Sequence, residues 1–134
     1  LQHAATDDRV AGVIALAPFS DFRTAIDTFR QCFTPWMDQS WLQRGFDTAA
    51  AEAGFELEQA SALEAIPRID APILLAEGGK DPFLPPHIHS EQLKRQRGDK
   101  PLTVVRIEDA YHISLARKSW KELDDAIAGF LNQV

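Results

Sequence analysis

The sequence predicts an α/β domain with an open parallel sheet. Three observations carry this. Short apolar runs recur along the chain, the first two of them are continuously apolar rather than alternating, and helix-spaced apolar residues lie between and after them.

The first run is Val10-Ala11-Gly12-Val13-Ile14-Ala15-Leu16-Ala17. The second is Ile73-Leu74-Leu75-Ala76, introduced by Ala71-Pro72. Both are continuously apolar, as expected for strands covered on both faces. The third, Leu102 to Ile107, follows Lys100-Pro101. A proline is tolerated at the start of a strand and disfavoured inside one. Phe22, Ala25, Ile26, Phe29 and Phe33 follow helical spacing, and Trp120, Leu123, Ile127, Phe130 and Leu131 do so at the end of the chain. Ile88 and Leu93 mark a weaker helix after Pro85-Pro86, since proline suits a first helical turn. Strands alternating with helices imply βαβ crossovers and parallel pairing.

The first connection is long. Residues 19–70 exceed what one crossover helix needs. They hold Phe29, Phe33, Trp36, Trp41, Phe46 and Phe55, so extra helices packed on the sheet are expected, with a lid or pocket wall as the functional alternative. The whole of 1–134 reads as one domain unit, without repeat, low-complexity tract or linker.

Composition excludes several classes. With 45% hydrophobic and 25% charged residues, the chain resembles an ordinary soluble domain rather than a disordered one. A net charge of −6 disfavours a nucleic-acid partner, which calls for a basic face. The one basic cluster, Lys94 to Arg97, reads as a solvated helix face. No apolar run is long enough for a membrane span. Cys32 is the only cysteine, so no internal disulfide forms; a cytoplasmic location is the matching expectation. Cys32 lies on the apolar side of the Phe22–Phe33 pattern and is expected to be a small buried hydrophobe. His87 and His89 form a His-x-His pair without an evident third ligand, so no metal site is expected. The chain opens on Leu1, and its only methionine is Met37. The expectation is that this sequence begins inside a longer protein.

The chemistry concentrates in Ala71-Pro72-Ile73-Leu74-Leu75-Ala76-Glu77-Gly78-Gly79-Lys80-Asp81-Pro82-Phe83-Leu84-Pro85 and in Ala110-Tyr111-His112-Ile113-Ser114. Asp81 and His112 each fall just past the carboxyl end of a predicted strand. Neighbouring parallel strands would bring the carboxylate beside the imidazole, where it can fix the tautomer and stabilise the imidazolium during proton transfer.

These segments resemble the C-terminal portion of the α/β-hydrolase family. There, a strand ending Pro-(apolar)-Leu-Leu-x-x-Gly-x-x-Asp-x-x-x-Pro carries the triad acid, a later loop carries the histidine, and an amphipathic helix ending Phe-Leu closes the domain. Ala71 to Pro85, His112 and Ala128 to Leu131 match in order and spacing, and Val10 to Asp21 resembles the strand after the nucleophile helix. The wording near Ser61 to Ile66 and Asp70 to Pro72 is closest to the dienelactone-hydrolase and prolyl-oligopeptidase-like branch. The chain departs from the pattern at Glu77, where the family often has His, and at Glu108 to Tyr111, where glycine often precedes the histidine.

The resemblance implies the C-terminal part of a doubly wound parallel sheet, with three parallel strands and flanking helices. It implies Asp81 as acid and His112 as base, Asp21 as the alternative acid, and Phe19 and Tyr111 as substrate-side residues. No cofactor and no metal are implied. The implied substrate is a small molecule with an ester, thioester, lactone or peptide-like acyl bond. Family order places a nucleophile (Ser, Cys or Asp) before the acid, in a Gly-x-Ser-x-Gly turn when it is serine. That motif is absent here, so the N-terminal half that holds it is expected before Leu1. This chain alone would then be a catalytically silent fragment with an open apolar strand edge. A non-catalytic binding module on the same fold is the alternative. A flavodoxin-like or Rossmann-type domain would need a glycine-rich loop after the first strand, and Pro18 to Asp21 does not supply one.

Overall fold

The computed structural model describes residues 1–134. Its sheet has three strands, β1 (Val13–Leu16), β2 (Ile73–Gly78) and β3 (Leu102–Ile107), in spatial order β1-β2-β3. Both pairings are parallel, with Val13 opposite Ile73 and Ile73 opposite Leu102. The expected α/β architecture is thus present. The first apolar run contributes only its second half to the sheet. The other two begin where the sequence places them, and β2 extends two residues further, through Glu77 and Gly78.

β2 is central, and all six of its residues are buried. Its alternation divides the core. Leu74 and Ala76 face Ile107, Leu115, Leu123 and Phe130 on one side. Ile73 and Leu75 face Ala62, Ile66, Ile69 and Leu93 on the other. Each fully buried Leu or Ile side chain stabilises by roughly 2 kcal/mol relative to exposure, so β2 anchors both layers. β1 departs from the expectation of cover on both faces: Val13 and Ala15 pack inward, while Ile14 and Leu16 are 38% and 42% exposed. The strand is an edge, with β2 as its one strand neighbour.

Residues 19–70 are mostly helical. They comprise α1 (Phe22–Phe33), α2 (Gln39–Ala53), the short α3 (Ala62–Ala65) and two 3-10 turns. Local chemistry sets the ends. Asp21 caps α1 by accepting from the Thr24 amide, Asp38 caps α2 through Trp41, and Ser61 caps α3 through Glu64. These short polar side chains satisfy amides that have no helical partner. Gly54 closes α2 at φ +66°, a left-handed conformation that glycine adopts without steric cost. After β2 come α4 (His89–Arg97), then β3, α5 (His112–Arg117) and α6 (Lys121–Leu131). No helix is long and apolar enough to cross a membrane.

Two local expectations are corrected. Arg97 does not belong to a solvated face. It is 2% exposed, and its guanidinium donates to the carbonyls of Ile66, Ile69, Ala71 and Pro101. These carbonyls lie in the turns before β2 and β3, and a planar five-donor group serves them together, alongside the Ile73 amide at Pro101 and the Lys100 ammonium at Ile69. Cys32 is exposed rather than buried. Its thiol meets the Pro82 carbonyl at 2.8 Å, because α1 turns that side of its last helical turn toward the loop after β2.

Candidate active site

Asp81 follows β2, and His112 opens α5 just after β3. Glycine brings the two loops together. A Cβ on Gly78 would stand 2.6 Å from the Ala110 carbonyl oxygen, and one on Gly79 would stand 2.7 Å from that of Glu108. Without side chains there, the segment between β3 and α5 lies directly on the end of β2. The Gly79 amide donates to Ile107 and the Lys80 amide to Ala110. Lys80 also pairs with Asp109 across the two loops, which holds the Asp109 carboxyl below the usual carboxylate range.

His112 Nδ1 donates to Asp81 Oδ2 at 2.7 Å. The other oxygen, Oδ1, accepts from the amides of Phe83 and Leu84 at 2.9 and 3.0 Å. The Asp81 side chain is 1% exposed, whereas that of His112 is 34% exposed. A carboxylate only accepts, so this geometry assigns the imidazole proton to Nδ1 and leaves the Nε2 lone pair free. No hydroxyl or thiol of the chain hydrogen-bonds to Nε2. The Phe83 ring packs edge-on against the imidazole at 5.7 Å, so an aromatic side chain screens one side of the pair from water.

The remaining predicted residues lie elsewhere or act differently. Asp21 is not joined to His112: Oδ1 accepts from the Thr24 amide at 2.8 Å, and Oδ2 lies 3.2 Å from the Ser20 hydroxyl oxygen. Phe19 packs against Phe22 and lines a surface cavity of about 250 Å³ beside β1, with Ile14 and Leu16. Tyr111 directly precedes His112 but is 57% exposed, with its backbone fixed by the Ser114 hydroxyl. No cluster of three metal-ligating side chains occurs.

Three features went unnoticed in the sequence. His89 is completely buried. Its Nδ1 accepts from the Ser20 amide at 3.2 Å and lies 2.9 Å from the Ser20 hydroxyl, and its Nε2 faces Thr28 Oγ1 at 3.4 Å. Burial holds its pKa below the ordinary histidine value, against the opposing pull of the Asp21 and Asp81 carboxylates. The available signal was His89, Leu93 and Arg97 at steps of four, one buried stripe of α4. Second, Phe29 and Phe33 stack toward Phe83 at 6.2 and 4.8 Å, an aromatic row that ends at His112. Third, a cavity of about 380 Å³ opens between α1 and α2, lined by Phe22, Ala25, Ile26, Phe29, Met37 and Phe46 among others. The helical spacing of Phe22, Ala25, Ile26 and Phe29 was visible, but not that two helices would leave a gap between them.

Solved structures share this fold. An acetyl xylan esterase from Paenibacillus sp. R4 superposes with a TM-score of 0.64 at 19% identity, over 97% of this chain and 40% of its own. The Pyrococcus horikoshii acylaminoacyl peptidase does so at 0.60 and 14%, over 96% of this chain and 20% of its own. MGS-M2, an α/β hydrolase from a Medee basin deep-sea metagenome library, gives 0.62 and 14%, over 99% and 60%. The chain therefore spans three fifths or less of the length of each. No protein-family model matches the sequence, and no curated protein does. At these identities the likeness is one of fold: the chain has the fold of the C-terminal portion of an α/β hydrolase.

Proposed function

We propose that Asp81 and His112 are the acid and base of a hydrolase active site in a longer protein that contains this chain, acting on an ester, thioester, lactone or peptide-like acyl bond. One observation carries the proposal. A buried carboxylate with its second oxygen held by two amides grips Nδ1 of a part-exposed imidazole whose Nε2 is uncommitted, at the carboxyl ends of adjacent parallel strands. Ligands of open α/β sheets bind at those strand ends. The structural neighbours named as an esterase and a peptidase support acyl-bond chemistry.

In this mechanism a nucleophile outside the chain attacks the acyl carbonyl carbon, and its proton passes to His112 Nε2. Asp81 stabilises the imidazolium that forms. His112 then returns the proton to the leaving oxygen, sulfur or nitrogen as the bond from the carbonyl carbon to that atom breaks. A water attacks the acyl intermediate through the same base, releasing the acid and restoring the nucleophile. Within the chain, no serine stands in a Gly-x-Ser-x-Gly turn, and the Cys32 thiol is directed at a carbonyl. The nucleophile and the oxyanion donors belong, on this proposal, to the segment before Leu1, and residues 19–70 form the wall above the site.

The test is the His112→Ala variant of the full-length protein, assayed on p-nitrophenyl esters. Turnover should vanish while the unfolding midpoint stays within a few degrees of wild type. Turnover near the wild-type rate would remove the assignment.

A further inference from the structure

The loop that holds Asp81 is itself held from behind. Its amides, at Phe83 and Leu84, point to the carboxylate. Its carbonyls point the other way, to α1. Thr28 Oγ1 donates to the Phe83 carbonyl at 2.7 Å, and the Cys32 thiol donates to the Pro82 carbonyl at 2.8 Å. Thr28 and Cys32 are one helical turn apart, so a single face of α1 grips two consecutive carbonyls.

A threonine in a helix ordinarily donates back to its own helix. Thr28 could do so, since the Thr24 and Ala25 carbonyls lie 3.2 and 3.0 Å away. Its single proton goes to one acceptor, and Phe83 is the nearest. His89 reinforces that choice. The Ser20 amide can only donate, so His89 Nδ1 carries no proton and Nε2 does; the Ser20 hydroxyl, 2.9 Å from Nδ1, then turns its proton to that nitrogen rather than to Asp21 at 3.2 Å. That Nε2–H faces Thr28 Oγ1 at 3.4 Å, longer than an ordinary N–H···O bond and correspondingly weak. It engages the hydroxyl oxygen as an acceptor and leaves the hydroxyl proton for a carbonyl. The sequence of contacts runs from Ser20 through His89, Thr28 and Phe83 to Asp81, buried along most of its length.

We propose that Thr28, oriented by His89, is a positioning residue for the Asp81–His112 pair: it fixes the Phe83–Leu84 peptide through the Phe83 carbonyl, and the Leu84 amide of that same peptide holds Asp81. As a statement about turnover this rests on the hydrolase reading above; as a statement about the geometry of the pair it does not. The register of α1 then sets the direction of the acid, so this helix of the 19–70 segment supports the acid loop as well as walling the site.

The test reads His112 directly, by nitrogen-15 and proton NMR of the 134-residue chain. In the wild type and in Thr28→Ser, which keeps the hydroxyl, the His112 ring is the Nδ1–H tautomer with a slowly exchanging, low-field Nδ1 proton. In Thr28→Val, which keeps the shape and loses the hydroxyl, that proton exchanges at least about tenfold faster and the ring shows mixed tautomers. Thr48→Val is the control, because Thr48 makes only a back-bond to Arg44 within α2; it leaves His112 unchanged. A folded Thr28→Val with wild-type His112 signals overturns the proposal. Should Thr28→Val not fold, the unmodified chain decides. A slowly exchanging Thr28 hydroxyl proton with His89 as the Nε2–H tautomer upholds the proposal; fast exchange, or His89 protonated at Nδ1, overturns it. None of these readouts depends on turnover, so failure here and failure of the hydrolase reading appear in different experiments.

Discussion

The backbone of Ala110 lies against Gly78 so closely that no side chain fits between them: a Cβ would meet the Ala110 carbonyl oxygen at 2.6 Å. This contact sets the separation of the two loops, and the separation of the loops sets that of Asp81 and His112. Gly78→Ala is expected to push the β3–α5 segment outward and to destabilise the fold by about 1–3 kcal/mol, the usual cost of overpacking. The His112 Nδ1 proton should lose its low-field position in the same variant. A wild-type spectrum with wild-type stability would show that the loops have another means of approach.

Arg97 predicts a stability effect far from the site. Arg97→Met fills similar space, leaves the Ile66 and Ala71 carbonyls without a donor, and removes one of two donors from the Ile69 and Pro101 carbonyls. Buried groups deprived of a charged partner cost about 1.5–3 kcal/mol per bond, so a loss of at least about 3 kcal/mol is expected in urea unfolding. A loss below about 1 kcal/mol would mean that water replaces the guanidinium.

The fold was legible because its signals are local. β2 carries an uninterrupted apolar run, and α1 and α6 carry clean helical spacing. Asp81 and His112 could be paired because each follows a strand, and parallel neighbours bring strand ends together. What stayed hidden depends on contacts distant in sequence. Arg97 looks like one charge in a basic cluster until the turns at Ile66 to Ala71 fold over it. His89 looks like half of a His-x-His pair until Ser20, sixty-nine positions away, meets its ring. Asp21, a candidate acid by position, proved to be a helix cap, which the short polar residue before the Phe22 pattern already signals.

His89 predicts a pH dependence with a definite sign. Burial lowers its folded pKa below the unfolded value of 6.5. Where the pKa is lowered, the unfolded state binds more protons, so stability rises with pH across that window. The contribution is fully present above about pH 6.5 and falls away as pH drops toward the folded pKa. The Asp21 and Asp81 carboxylates soften the loss by favouring the charged ring, and His87 opposes it. The difference in unfolding free energy between wild type and His89→Gln should therefore shrink on acidification from pH 7 to 5. A difference that is flat or grows would contradict the buried neutral ring.

β1 predicts association. Its outer edge has no strand partner, and Ile14 and Leu16 are exposed beside it. Unprotected apolar edges recruit further strands. The isolated chain should sediment as concentration-dependent oligomers, and Leu16→Lys should shift it toward monomer. A wild-type chain that stays monomeric at high concentration would contradict this.

The central claim is that Asp81 and His112 act as one unit in proton transfer. A double-mutant cycle on turnover by the full-length protein tests it most directly. Asp81→Asn should lower kcat by about 10⁴-fold, as expected when the tautomer-fixing carboxylate is lost. Asp81→Asn combined with His112→Ala should be no worse than His112→Ala alone, because residues acting as a unit are not additive. Losses that multiply, or an Asp81→Asn protein with wild-type kcat, would contradict the account.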